Sequence, residues 1–241
     1  MTFKLPQYIA TRTIIPLLVL LAGITPAHAQ SSRSEALLDQ AQEHMQQFLT
    51  DEHWAAVRNL TGVARAIFIM PKGGQFGFVV GTQWGKGILL VRHHHQWSHP
   101  LFVEINSLQI GLLAGAQSVS GIGILLSDAA LKQVINGEFK AGGSADLTLG
   151  PGVSGKAAGG VKGIEMLMVS SNKGVFLGGS FEGVQLKLDE AMNQDAYGDN
   201  FDVTSIANFN EQPLIPLASS LRQQLADVAY NAVFNPTRLQ K

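Results

Sequence analysis

His93-His94-His95, followed by His99, is the run of side chains best able to ligate a metal in this chain. In an extended backbone His93 and His95 share a face, and neutral imidazoles are good Zn²⁺ or Cu²⁺ ligands. A built metal site recruits ligands from several elements and supports them with further hydrogen bonds. A polar loop between a strand ending at Arg92 and the next residues at Trp97 gives the same run without a metal. No functional metal is therefore expected, with His93, His95 and His99 as the candidates if one exists. Gly150-Pro-Gly-Val-Ser-Gly-Lys156 resembles two nucleotide loops but completes neither. Ala157 stands where a hydroxyl must ligate Mg²⁺, and the glycines after it oppose the helix that would hold phosphate. No cofactor is expected.

Catalytic chemistry finds no foothold either. The chain has no cysteine and no H-E-x-x-H, and Ser154 and Ser180 fail the spacing of G-x-S-x-G. Asp199, Asn200 and Asp202 lack the alternation of a calcium loop. The chain is read as a non-enzyme with no catalytic residues. Cations beside glycine-rich turns form the remaining candidate set: Lys72, Lys86, Arg92, Lys140, Lys156, Lys162 and Lys173. With Trp84 and Trp97, whose rings suit a water–lipid boundary, they are the candidate lipid-binding residues. Taken singly, a turn lysine is a solvated side chain and Trp97 a core residue.

Those side chains need a scaffold, and the glycines describe it. All but Gly23, Gly62 and Gly198 of the 26 glycines fall between Gly73 and Gly183, among β-branched and aromatic residues. Pairs four apart, such as Gly77 with Gly81 and Gly179 with Gly183, leave bare patches on one face of a strand. This pattern predicts a curved β-core. Ser32-x-x-Glu35 is a capping box opening a helix over about 32–50, with Leu38, Ala41, Met45 and Phe48 on one side. A second helical piece covers 52–59.

Ala66–Met70 reads as a strand stopped by Pro71 and Gly73-Gly74. Phe76–Gly81 and Ile88–Arg92 read as strands joined by a turn at Trp84-Gly85. Further strands are expected at 101–105, 108–126, 145–149, 164–170 and 174–188, with a short helix capped by Ser127 and ended by Gly137. After Tyr197-Gly198 the chain reads as loop, until Pro216 opens a closing helix to about 234. The fold class is α+β: a curved antiparallel sheet, barrel- or sandwich-like. Helices stand at the N- and C-terminal ends, and one short helix lies inside.

Residues 1–29 read as a signal peptide. Lys4 and Arg12 precede an apolar run, and Ala27-His-Ala29 is a small-x-small cleavage site. Residues 30–241 then form one domain, exported to the periplasm or beyond the cell. The whole chain carries a net charge of −1, and removing the leader with its two cations makes the remainder more acidic. That balance excludes nucleic acid as a partner. Without cysteine there is no disulfide framework, so burial must supply the stability.

Several segments together resemble the SYLF family. They are Ala64-Arg-Ala-Ile-Phe-Ile-Met-Pro71, Gly77-Phe-Val-Val-Gly81, Gly85-Lys-Gly87, Trp97-Ser-His-Pro100, Gln109-Ile-Gly111, Gly150-Pro-Gly152, Asn172 to Gly179, and Asn193 to Gly198. The similarity spans about Leu60 to Ile206. It implies lipid binding; eukaryotic members bind phosphoinositides, fungal members also bind and bundle actin, and bacterial members look like envelope proteins. The N-terminal helix here carries Asp39 and Glu43, which suits it to cover the sheet rather than meet anionic lipid.

The expectation is an exported, bacterial, non-enzymatic lipid-binding protein. It would contact phospholipid headgroups at a membrane surface, or hold a fatty acid's acyl chain, through its glycine-rich core. The alternative is an envelope scaffold or adaptor that binds a protein partner without lipid. A third reading is an enzyme on lipid or glycan.

Overall fold

The computed structural model describes residues 32–50, 54–77, 80–110, 115–148, 154–160, 163–173, 180–208 and 217–234. Two helices come first, α1 (Arg33–Thr50) and α2 (Ala55–Leu60), the latter extended by a 3-10 turn at Thr61–Val63. The strands β1 (Ala66–Gly77), β2 (Val80–His93), β3 (Gln96–Trp97), β4 (Leu101–Ile110) and β5 (Gly115–Leu125) follow. Helix α3 (Asp128–Ile135) leads to β6 (Phe139–Thr148), β7 (Ser154–Gly160), β8 (Gly163–Lys173) and β9 (Ser180–Leu188). Helices α4 (Glu190–Tyr197), α5 (Val203–Ala207) and α6 (Leu217–Phe234) complete the order.

All the ladders are antiparallel, and they close on themselves. The order β1-β5-β8-β7-β6-β9-β4-β2 returns to β1 through the β1–β2 pairing, and β3 is a two-residue appendage on β2. Each of these eight strands has two partners, so no long edge is left to aggregate. An eight-stranded ring is just wide enough inside for side chains to fill it or for one small ligand. Phe68, Met70, Leu89, Val103, Ile105, Met166 and Leu186 form that inner layer, with Val134 of α3 and Ile206 of α5 packed against it. The opposite faces carry Ile67, Ile69, Ile88, Leu90, Phe102 and Ile122, buried under α1, α4 and α6. The expected curved antiparallel core with terminal helices is what the chain forms.

The end caps follow from sequence chemistry. Glu35 N donates to Ser32 Oγ at 3.2 Å and Ser32 N to a Glu35 carboxylate oxygen at 3.1 Å, the reciprocal box that opens α1. Ser127 Oγ accepts from Ala130 N at 3.0 Å to start α3, and Gly137 ends it at φ +72°.

Four local expectations are corrected. Pro71 and Gly73-Gly74 do not stop β1. The register against β2 shifts between Ile69 and Lys72, and this bulge absorbs the missing Pro N–H. Trp84-Gly85 is not a turn, because β2 runs through it and the β1–β2 register continues to Gly77 facing Gly81. Gly85 and Gly87 serve close approach instead: a Cβ would lie 2.3 Å from Met70 Sδ at the first and 2.2 Å from the Ile69 carbonyl oxygen at the second. The stretch after Tyr197-Gly198 is only partly loop, since α5 lies in it, and α4 follows β9 just ahead of it. Asp189 and Asp202 accept from backbone amides at the starts of these two helices. The glycine-rich Ser154–Gly160, between the strands expected at 145–149 and 164–170, is a further strand, β7, paired on both sides.

Candidate interaction surface

The outer face of the ring is layered. Even-numbered residues of β2 and β4 point outward, and after the bulge so do those of β1. Nearest the helices, cross-strand pairing sets Lys72, Lys86, Glu104 and Lys187 in one row. The next row runs Ser118, Gly74, Trp84, Asn106, Gln185 and Lys140 across β5, β1, β2, β4, β9 and β6. Beyond it stand Phe76, Thr82 and Leu108, and then Val80 at the end of β2. Helices cover the Ile88 and Leu90 part of this face and leave the rest open.

The open part is apolar at its tip. Phe76 is 61% exposed, Val80 56%, Trp84 48% and Leu108 45%. Trp84 lies across β1, where a Cβ on Gly74 would come within 2.6 Å of the indole. The glycine is thus the seat of the ring. Grooves of about 710 and 530 Å³ flank the indole. The larger is bounded by Leu108, Asn106, Gly183, Gln185 and Lys140, and the smaller by Lys72, Lys86 and Glu104. A Cβ at Gly183 would meet nothing within 4 Å, so the floor of the larger groove is bare there.

The charged row is partly self-neutralised. Lys187 Nζ lies 2.5 Å from a Glu104 carboxylate oxygen, and Lys86 Nζ 2.5 Å from Asp189. Lys86 thereby ties β2 to the start of α4. Lys72 and Lys140 are exposed, on either side of Trp84.

The remaining candidates lie elsewhere. Trp97 is 1% exposed and belongs to the core under α6. Arg92 sits over its ring, 6.0 Å from the centroid, and donates to the carbonyls of Thr61, Gly62 and His94. Burial and the nearby Arg65 push the Arg92 pKa down. Both residues lock the other end of β2. Lys156 pairs in register with Asp146 and Met168, and Lys173 with Ser118; Lys162 lies outside the described residues.

The histidines do not gather. His93 and His94 touch edge to face with their Nδ1 atoms 2.9 Å apart, while His99 Nε2 faces Arg222 Nη1 at 3.3 Å. Among the described residues no group of three or more His, Cys, Asp or Glu could hold a metal ion.

The segment Trp97-Ser-His-Pro100 is a lock. Ser98 N donates to Val91 O, and Val91 N donates back to Ser98 Oγ at 2.9 Å. Arg222 Nε of α6 donates to Trp97 O at 2.6 Å, and the Tyr197 hydroxyl of α4 donates to Pro100 O. Sequence reasoning did not single out Arg222, and a lone arginine on a helix face carries no local signal.

A family model described as Ysc84, Las17-binding protein actin regulator, matches residues 106–228, from β4 into α6. The chain belongs to the Ysc84 family. The SYLF resemblance carried by its motifs is thereby confirmed. Over 163 residues it is 28% identical to Protein YSC84 of Saccharomyces cerevisiae, covering 64% of this chain and 34% of that protein. This Ysc84-family chain therefore spans about a third of the length of that curated relative. Among solved structures, virulence-associated protein VapB from the intracellular pathogen Rhodococcus equi aligns at TM-score 0.31 and 10% identity, over 50% of this chain and 94% of that one. That likeness is too slight to inform fold or function.

Proposed function

We propose that this Ysc84-family chain is a non-enzymatic module that docks on anionic phospholipid through the open outer face of β1, β2 and β4. The layering carries this reading. Rows on one strand face are about 7 Å apart, so the Phe76–Leu108 row stands about 13 Å beyond Lys72 and Lys86. An interfacial element buries its apolar side about 5–10 Å below the headgroups. Inserting Phe76, Val80 and Leu108 to that depth leaves Trp84 and Lys140 at the boundary and Lys72 among the phosphates. Each cation near an anionic surface contributes about 1 kcal/mol, and burying an aromatic or aliphatic side chain about 1.5–3 kcal/mol. The apolar contacts therefore dominate, and salt weakens binding without abolishing it.

The leader-like first 29 residues support export, which places the partner membrane on the far side of the inner membrane. Protein expressed with its own leader and purified from the cell envelope should float with phosphatidylglycerol-containing vesicles. Trp84→Ala should weaken the partition by about tenfold. Equal flotation of Trp84→Ala, Phe76→Ala and the parent protein would refute the reading. The family's description as Las17-binding favours a second reading, a protein partner on the same apolar tip. Saturable capture of a single protein with no vesicle binding would establish that reading instead.

A further inference from the structure

Beside the bulge in β1, under the edge of α1, lies a separate polar hollow of about 300 Å³. Gln40, Glu43, His44 and Gln47 line it from one face of α1, and Ser118 and Ser120 line it from the outer face of β5. Lys72, carried out by the bulge, closes one side. His44 is 7% exposed, stands edge-on to Trp54 with ring centroids 6.2 Å apart, and its Nε2 has no hydrogen-bond partner in the protein. A buried polar atom in that state is costly unless something enters the hollow to meet it.

The lining selects among ligands. Lys72 and Glu43 cancel, so the hollow presents no net field to draw an anion. Burial depresses the His44 pKa, only partly countered by its hydrogen bond to Gln47, so the ring is neutral near pH 7. A metal ion is unsuited to a set with one carboxylate and one imidazole. What remains is a mixture of amides, hydroxyls, one carboxylate and one ammonium, which both donates and accepts at close spacing. Neighbouring hydroxyl groups have that same dual character. We infer that this hollow binds a neutral polyol about the size of one sugar ring, either free or as the head of a glycolipid. The hollow shares Lys72 with the charged row of the proposed docking face and Gln40 and Lys72 with the groove beside Trp84, but Trp84, Phe76 and Leu108 do not line it.

Isotope-labelled protein expressed with its own leader, titrated with the methyl glycosides of glucose, galactose and N-acetylglucosamine, provides the test. At least one glycoside should shift the His44 ring resonances saturably, and inorganic phosphate should not. His44 is buried against Trp54, so the diagnostic variants are the rim substitutions Gln47→Ala and Ser120→Ala. Each should weaken the glycoside by about fivefold, the loss of one hydrogen bond.

Absence of a saturable shift with all three glycosides overturns the proposal, as does a response to phosphate alone. Undiminished affinity in both rim variants overturns it too, by placing the sugar elsewhere. Preferential flotation with vesicles containing a glycosyl diacylglycerol, competed by the methyl glycoside, identifies a glycolipid. Glycoside binding with no such preference identifies a free sugar.

Discussion

Asn193 is fully buried and commits each of its side-chain polar atoms to backbone. Its Oδ1 accepts from Phe102 N at 2.9 Å, and its Nδ2 donates to Phe102 O at 2.7 Å and to Asp189 O at 2.8 Å. The amide thus supplies Phe102, where β4 emerges, with a donor and an acceptor while holding the first turn of α4. Asn193→Leu keeps the volume but strands Phe102 N, while Phe102 O and Asp189 O keep the backbone donors Asp189 N and Asn193 N, and one buried unsatisfied group costs about 1–3 kcal/mol. A loss in that range is expected in urea unfolding. A change under about 1 kcal/mol would mean water replaces the amide, and this account of the α4 joint would fail. The sequence showed Asn193 only as one point in a family resemblance. Its partner Phe102 is 91 residues away, and no local pattern reports a bond across that distance. Ser32, Ser127 and Glu35 were readable because their partners lie within one helical turn.

At the level of elements, the glycines divide into those that admit a neighbour and those that leave a surface open. At Gly87 the neighbour is backbone, the Ile69 carbonyl, which cannot swing aside as a flexible side chain can. Gly87→Ala must push β1 away from β2 across the hairpin that carries Trp84, at a cost of about 1–3 kcal/mol. Gly183→Ala adds a methyl to open space and should change stability by less than about 0.5 kcal/mol. Thermal melts of the two variants separate the roles, and equal losses would refute the distinction.

The same division explains where element boundaries were misread. Trp84-Gly85 has the composition of a turn, but its glycine is there for Met70, and only the register reveals that. Pro71 signals the end of a ladder and marks a bulge. By contrast α1, α3 and α6 were legible because apolar residues three and four apart outlast any local ambiguity.

Taken as a whole, the molecule closes its ring with hydrogen bonds and fastens α6 over it through one polar joint. Arg222 of α6 bonds Trp97 O and faces His99 Nε2, while Tyr197 of α4 approaches from Pro100. Burial first, and then the Arg222 charge, depress the His99 pKa below its ordinary 6.5. Burial likewise lowers that of His44 on the inner side of α1. Both side chains are therefore harder to protonate folded than unfolded. Below about pH 6.5 the unfolded chain takes up more protons than the folded one, so stability falls as the pH falls and is regained on return to neutrality.

Asp195 and Asp202, hydrogen-bonded to Ser34 and to Ser205 and Thr204, have pKa values below the ordinary 3.8. Their stabilising contribution is lost only as the pH falls through the ordinary carboxylate range and below, whereas the histidine loss begins near pH 6.5. Urea midpoints measured from about pH 7.5 down to about pH 5 should decline. The decline should shrink in His99→Gln, which keeps a polar partner for Arg222 but cannot titrate, and shrink further with His44→Gln added. Because His99 and Arg222 meet between the ring and α6, hydrogen exchange in α6 should rise before that in β1 or β2 as the pH drops. A flat midpoint over this range, or simultaneous exchange of helix and ring, would show that the joint does not sense the charge on His99.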